Sequence, residues 1–357
     1  MVSISRRPDR PGWVVRWRDE AKAQHKRTFR RKLDADRWRA HLEHQLHTGT
    51  YVDPAAGRVP FRQYAEEWRA MQPGRTATAR RRRMSLETHV YPVIGHRPIA
   101  AVRPSEVQAL IAGMSTTLAP GSVRTVYATL RAVFRAAARD QVIARNPCEA
   151  AKLPAATVEQ VVPLTVDQVE AIAAAMPARL QALVIVAAGT GLRRGELLGI
   201  QLGDVDFLRR QVRVERQRHG KTLLVGPPKN QAAHRTVPVG ETVLTALSEH
   251  VRLYPPGTGF VFPISSETRL YRTWQAAAAA AGVPTATLHD LRHFYASALI
   301  RAGLSVKVVS DRLGHSNAAM TLNVYSHLWG DDEDRTRSAI DTLFQPGAPQ
   351  VRPAREV

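Results

Sequence analysis

Six side chains scattered between residues 193 and 325 have the types that phosphate chemistry needs: Arg193, Lys229, His289, Arg292, His315 and Tyr325. Guanidinium forks stabilise the charge that develops on the non-bridging oxygens of a reacting phosphodiester, through paired, charge-assisted hydrogen bonds. Tyrosine can attack phosphorus as a covalent nucleophile, although its unperturbed pKa of about 10 means that neighbouring cations must ease its deprotonation. A lysine can protonate the departing oxygen. Taken singly, each of these side chains also fits an ordinary surface or core role; together they suit phosphoryl transfer on a diester. Asp290 and Asp311 are the acids nearest His289 and His315 in the sequence, and neither belongs to the usual oxygen-ligand group for a divalent ion. A metal is not required by this chemistry.

These residues need elements to position them. TLHDLRHFYASALIRAG (287–303) reads as a helix that Thr287 caps and Gly303 ends. His289, Arg292 and His293 fall at i, i+3 and i+4, on one helical face and within reach of a shared ligand. SVKVVSDRL (305–313) forms a second helix ended by Gly314, so His315 emerges just past a helix terminus, and Tyr325 follows in NVYSHL. Upstream, TGLRRGEL (190–197) sets Arg193 between glycines at a helix start, where Gly189, Gly191 and Gly195 let the backbone turn tightly. Lys229 lies in the connection between two strands, PPKNQAAHRTVPV.

The 357 residues exceed what one hydrophobic core usually organises, so several domains are expected. Residues 1–55 read as a small basic module, with strands at 12–18 and 26–30 and a helix at 34–47 that Gly49 ends. VDPAAGRVP (52–60) is a linker. Residues 59–150 are helical, at about 60–71, 78–90, 104–113 and 120–141, and a second linker covers 151–163. Residues 160–345 are mixed: helices at 165–176 and 179–188, strands at 210–217, 221–228 and 234–239, and further helices from 241, with RTRSAIDTLF (335–344) among them. Residues 346–357 are proline-bearing and read as a mobile tail. The expected fold is therefore multidomain and mainly α, with small β-sheets.

The formal net charge is +20, of which residues 1–58 carry +7, residues 59–150 carry +8 and the remainder +5. A basic excess concentrated in the first two segments points to a polyanionic partner, because clustered cations displace counterions from phosphates. Arginine abundance alone proves little, since only seven of the 51 cations are lysine. The run Arg80, Arg81, Arg82, Arg83 and the helix start around Ser122, Arg124 and Thr125 could track a duplex backbone, and Arg16, Arg18 and Arg30 could enter a groove. The single cysteine, Cys148, excludes a disulfide framework and any CxxC site and reads as a buried apolar residue. No stretch has the length of a signal peptide or a membrane span, so the expectation is a soluble cytoplasmic protein with no membrane partner.

In this order, TGLRRGEL, KNQAAHRT, HDLRH, LGHS and VYSH resemble the tyrosine recombinase (phage integrase) family across about 160–330. The resemblance implies an α+β catalytic domain, a helical core-binding (SAM-like) domain and an N-terminal module that holds arm-type DNA. It implies that Arg193 and Arg292 grip the scissile phosphate, assisted by His289 and His315. Lys229 would be the general acid for the 5′-hydroxyl, and Tyr325 the nucleophile that forms a 3′-phosphotyrosyl bond. Glu196 and His293 match positions that support the site. Gly195 departs from relatives, which often carry a small hydroxyl residue there. The implied partners are double-stranded DNA attachment sites, three further copies of the chain in a synaptic homotetramer, and, where the reaction uses one, a host DNA-bending or directionality factor. No cofactor or metal is implied. A relaxing topoisomerase of type IB, a binding-only protein of the same fold, and a metal-dependent nuclease using His289, Asp290, Asp311 and His315 are the rival readings.

Overall fold

The computed structural model describes residues 2–6, 11–18, 22–48, 51–53, 55–74, 76–155, 160–220, 223–228, 233–257, 259–329 and 333–344. The segment 346–357 and Gly49 lie outside them, as does Lys229. The chain divides into two compact units, Met1–Val158 and Glu159–Val357.

The first unit begins with β1 (Ser3–Arg6), β2 (Trp13–Arg18), β3 (Gln24–Phe29) and α1 (Lys32–His47). The strands form one antiparallel sheet in chain order, with Arg16 opposite both Ser3 and Lys26. The first strand is an addition to the two that alternation in the sequence picks out, because SISR is too short and too polar to stand out. Period-two alternation buries Val15 and Trp17 while Arg16 and Arg18 stay exposed, and Trp17 and Phe29 meet Trp38 of α1.

The helical part comprises α2 (Phe61–Ala70), α3 (Thr76–Ser85), a π-helical turn at Leu86–Val90, α4 (Tyr91–Ile94), α5 (Pro104–Ser115) and α6 (Pro120–Arg139). The sequence suggests one helix over 78–90; the π turn interrupts it because Pro92 has no N–H to donate and its ring crowds the carbonyl of the preceding turn. Phe61, Leu86, Leu130, Val133 and Phe134 are each fully buried in the core of these helices, which also takes in Cys148. Burial pushes the Cys148 thiol up to about 12, so it stays protonated and inert.

The second unit runs α7 (Val166–Ala175), α8 (Ala178–Thr190), α9 (Arg194–Leu197), β4 (Val205–Asp206), β5 (Gln211–Val214), β6 (Gln217–His219), β7 (Leu224–Gly226), β8 (Arg235–Pro238), α10 (Glu241–Leu253), α11 (Glu267–Ala280), α12 (Asp290–Arg301), α13 (Val306–Leu313), α14 (Ala318–Tyr325) and α15 (Glu333–Leu343). The apolar alternation at 210–217 divides between two sheets: β5 pairs with β4 and β8, whereas β6 pairs with β7. One core joins α8, α10, α11 and α12, with Trp274 sealed inside it at 1% exposure. The Trp274 indole donates to the Ala286 carbonyl at 2.8 Å, so Trp274→Ala would forfeit both packing and a buried bond, about 3–5 kcal/mol. Among the described residues no helix is long and apolar enough to cross a membrane.

Candidate active site

The helix α8 ends at Gly191, whose φ of +61° favours glycine and whose absent Cβ would sit 2.3 Å from the Tyr295 ring. This turn aims the Gly191 carbonyl at Arg292 and starts α9 with Arg193 at its N-cap. Glu196, three residues on, accepts the Arg193 backbone N–H at 3.0 Å and its Nη1 at 2.9 Å. Its other partner is Arg235 of β8, whose Nη2 donates to Oε2 at 2.9 Å. Burial alone would raise the Glu196 carboxyl, but the charge and hydrogen bond of Arg235, with Arg193, hold it below its ordinary value.

Leu313, Gly314 and His315 form the second half of the site. Gly314 stops α13 in the left-handed conformation, φ +65°, which turns two orphan carbonyls inward. Leu313 O accepts Arg292 Nη2 at 2.7 Å, and Gly314 O accepts Arg193 Nη2 at 2.9 Å. Arg292 Nη1 takes Gly191 O at 2.7 Å. Two arginines separated by almost a hundred positions are thus pinned to adjacent carbonyls, next to His315. Arg235 reaches the same segment, its Nε donating to Arg312 O at 2.7 Å.

The charge balance here is unusual. Arg292 is 2% exposed, yet its direct partners are neutral carbonyls; Arg193 and Arg235 repel it, and Glu196 is the carboxylate that offsets them. Burial first, then Arg193, push Arg292 down to about 9. Buried cations without matching anions are costly, so the cluster is built to receive negative charge.

The surroundings of the imidazoles favour their neutral form. Burial, then Arg292, Arg193 and Arg235, bring His315 down to about 4, and its Nδ1 lies 2.8 Å from the buried Thr321 hydroxyl. His289 is the N-cap of α12 and its residue is exposed to solvent; desolvation by the groups packed around it, then His293 and Arg292, lower its pKa, an effect that this exposure weakens. Thr287, expected to cap this helix, instead donates its N–H (2.6 Å) and Oγ1 (2.9 Å) to Asp290 Oδ2. Tyr325 ends α14 with 1% exposure. Burial raises its phenol to about 12 even though Arg292 pulls the other way, and its hydroxyl lies 2.7 Å from His293 Nδ1.

The structure therefore gathers Arg193, Glu196, Arg292 and His315, with Tyr325 held by His293 and His289 stacked edge-on against that ring, 4.7 Å between centroids. Arg235 and Thr321 are the participants that the sequence reading leaves without a role. The signal for Arg235 was its register: it shares a strand face with the fully buried Val237, and an arginine on a core-facing position needs a buried acid. Gly195 also has a packing reason, since a Cβ there would lie 2.9 Å from the Arg218 carbonyl of β6. Asp290 and Asp311 are engaged by Thr287 and Lys307, and no three metal-ligating side chains gather among the described residues.

In the first unit, Arg80, Arg81, Ser122 and Thr125 line one shallow groove between α3 and α6. Arg82 lies over the Trp68 ring, Arg83 pairs with Glu87 at 2.8 Å, and Arg124 donates to Pro154 O at 2.8 Å. Arg16 and Arg18 project from one face of the sheet, Arg16 donating to Ser5 Oγ at 2.9 Å, and Arg30 is exposed just beyond β3.

Residues 163–330 match the phage integrase family and residues 61–153 the phage integrase central domain. The prophage phiRv2 integrase of Mycobacterium tuberculosis is 30% identical over 323 residues, 84% of each chain. Among solved structures, the Tn1549 transposon integrase in complex with transposon right end DNA superposes with a TM-score of 0.70, at 24% identity over 80% of this chain and 100% of that one. A lambda integrase tetramer bound to a Holliday junction gives 0.61, at 19% identity, over 92% of this chain and 95% of that one. The chain belongs to the phage integrase family and is a site-specific tyrosine recombinase of the phage or mobile-element kind.

Proposed function

We propose that Tyr325 attacks a DNA phosphodiester, leaving a 3′-phosphotyrosyl link and a free 5′-hydroxyl. The observation that carries this reading is the pinning of Arg193 and Arg292 to the Leu313 and Gly314 carbonyls beside His315, a buried cationic pocket short of anions. A diester seated there would take hydrogen bonds from the N–H groups that the carbonyls leave free, since each guanidinium carries five. His289 and His315, both neutral, would donate to its oxygens or pass protons. Lys229, from the connection before β8, would protonate the leaving 5′-oxygen. Glu196 would keep Arg193 in place. The phosphotyrosyl bond retains the energy of the broken diester, so a partner strand's 5′-hydroxyl can reverse the step. Strand exchange at attachment sites then needs neither a high-energy cofactor nor a metal.

Arg80, Arg81, Arg82, Arg83, Ser122, Arg124 and Thr125 would follow the core duplex, and Arg16, Arg18 and Arg30 the accessory arm sites. The lambda integrase tetramer on a junction supports a synaptic homotetramer here. A DNA substrate places the working protein in the host cytoplasm, where a DNA-bending or directionality factor could join it.

The test is a nicked suicide substrate carrying a candidate core site, incubated with chelator, followed by denaturing electrophoresis and peptide mapping. An adduct on Tyr325 that Tyr325→Phe abolishes is the expected result. An adduct retained by that variant refutes the nucleophile, and dependence on a metal refutes the scheme. For Lys229→Ala, cleavage should fall on ordinary DNA and recover on a 5′-bridging sulfur substrate, which leaves without a proton; no recovery would remove Lys229 as the acid.

A further inference from the structure

We infer that His293, and not His289, is the general base that takes the phenolic proton as Tyr325 attacks phosphorus. This rests on the assignment of Tyr325 as nucleophile. The contact is direct: the hydroxyl lies 2.7 Å from Nδ1, with the two rings 5.5 Å apart and inclined at 62°. For the phenol to donate, Nδ1 must hold the lone pair and Nε2 the ring hydrogen. Both partners sit on rigid elements, α12 and α14, so the acceptor is in place before substrate arrives.

The surroundings favour this direction of transfer. With burial raising the phenol to about 12, almost no phenolate exists at neutral pH, and attack needs an acceptor in contact. The groups acting on His293 are Asp290 and Arg292 of its own helix, and burial and Arg292 together outweigh Asp290 to keep the ring unprotonated. His289 meets the His293 ring edge-on, whereas the hydrogen bond of the Tyr325 hydroxyl is to His293.

The step balances. The Tyr325 Oη–P bond forms, the P–O5′ bond breaks, the phenolic proton moves to His293 Nδ1, and the leaving oxygen is protonated by the general acid. In religation the 5′-hydroxyl gives its proton back to the deprotonated general acid as the P–O5′ bond forms, the Oη–P bond breaks, and the His293 imidazolium returns its proton to the departing phenolate.

The experiment measures single-turnover cleavage of the suicide substrate at saturating DNA. His293→Gln keeps an acceptor oxygen beside the phenol but cannot take its proton, and should slow cleavage on the order of 100-fold or more. Placing trifluorotyrosine, a stronger acid, at position 325 should recover most of that loss, because the weaker O–H bond needs less help. His289→Gln should not be rescued in this way. Persistent loss in the His293→Gln background, or rescue in the His289→Gln background instead, overturns the assignment. If the substituted chains do not fold, imidazole ¹⁵N shifts of the unaltered protein decide: the Nε2–H tautomer at His293 is required, and Nδ1–H contradicts it. An adduct surviving in Tyr325→Phe would sink the nucleophile assignment itself, a separate failure.

Discussion

Arg292 is 2% exposed and gives both Nη groups to main-chain oxygens, whereas Arg80 and Arg81 on the helical unit stand in solvent with no such tether among the described residues. The two regions use one residue type under opposite physical demands. Charge developing in a transition state is best met by donors fixed beforehand in a water-poor site, where no reorganisation is needed. Backbone tracking gains from releasing counterions, which a mobile surface guanidinium does as well as a rigid one. On the proposed assignment, a fixed guanidinium such as that of Arg292 suits action on the reacting phosphate, and an exposed one such as that of Arg80 or Arg81 suits holding the duplex.

The sharpest way to break this comparison is Arg292→Lys, which preserves charge but cannot span the Gly191 and Leu313 carbonyls as a planar fork. Cleavage at saturating DNA should fall by roughly 10²–10³. A near-native rate would show that the pinning is irrelevant. Next in size is Arg235→Met. It leaves Glu196 with one arginine and frees Arg312 O, so Arg193 and the His315 segment both lose a brace. The expected loss in saturated rate is about ten- to a hundredfold, the scale of partners that orient reacting groups, together with about 1–3 kcal/mol of stability from denaturant melts.

A third outcome concerns pH. Burial and the surrounding arginines bring His315 to a folded value near 4 against an ordinary 6.5, so the unfolded chain binds more protons between those limits. Stability of the DNA-free protein is therefore complete above about pH 6.5 and declines as pH falls toward 4. His315→Asn should flatten that decline in melts at pH 7 and pH 5; an unchanged slope would contradict the burial assigned to this ring. The smallest effect belongs to Arg81→Ala: a lower DNA affinity, a salt slope reduced by about 1, and an unchanged saturated rate.

What the sequence could disclose follows from how local each feature is. Spacing at i, i+3 and i+4 put His289, Arg292 and His293 on one face, and Gly314 announced the turn that presents His315, because both are properties of one helix and its end. Arg235 was hidden because its partner Glu196 lies 39 positions away and only the β8 register brings them together. The π turn at Leu86–Val90 escaped a pattern of ordinary helical period. For Tyr325 the sequence shows that cations must ease its deprotonation, and Arg292 does pull the phenol down; that burial outweighs it and raises the group to about 12, with the hydroxyl 2.7 Å from His293 Nδ1, depends on packing that the sequence does not display.

The proposed division of labour between the two arginine sets is tested most directly by measuring DNA affinity and saturated cleavage rate side by side for Arg292→Lys and Arg81→Ala. A clean crossing is expected, with the first losing rate at nearly native affinity and the second losing affinity at native rate. Loss of saturated rate in Arg81→Ala equal to that in Arg292→Lys would contradict it.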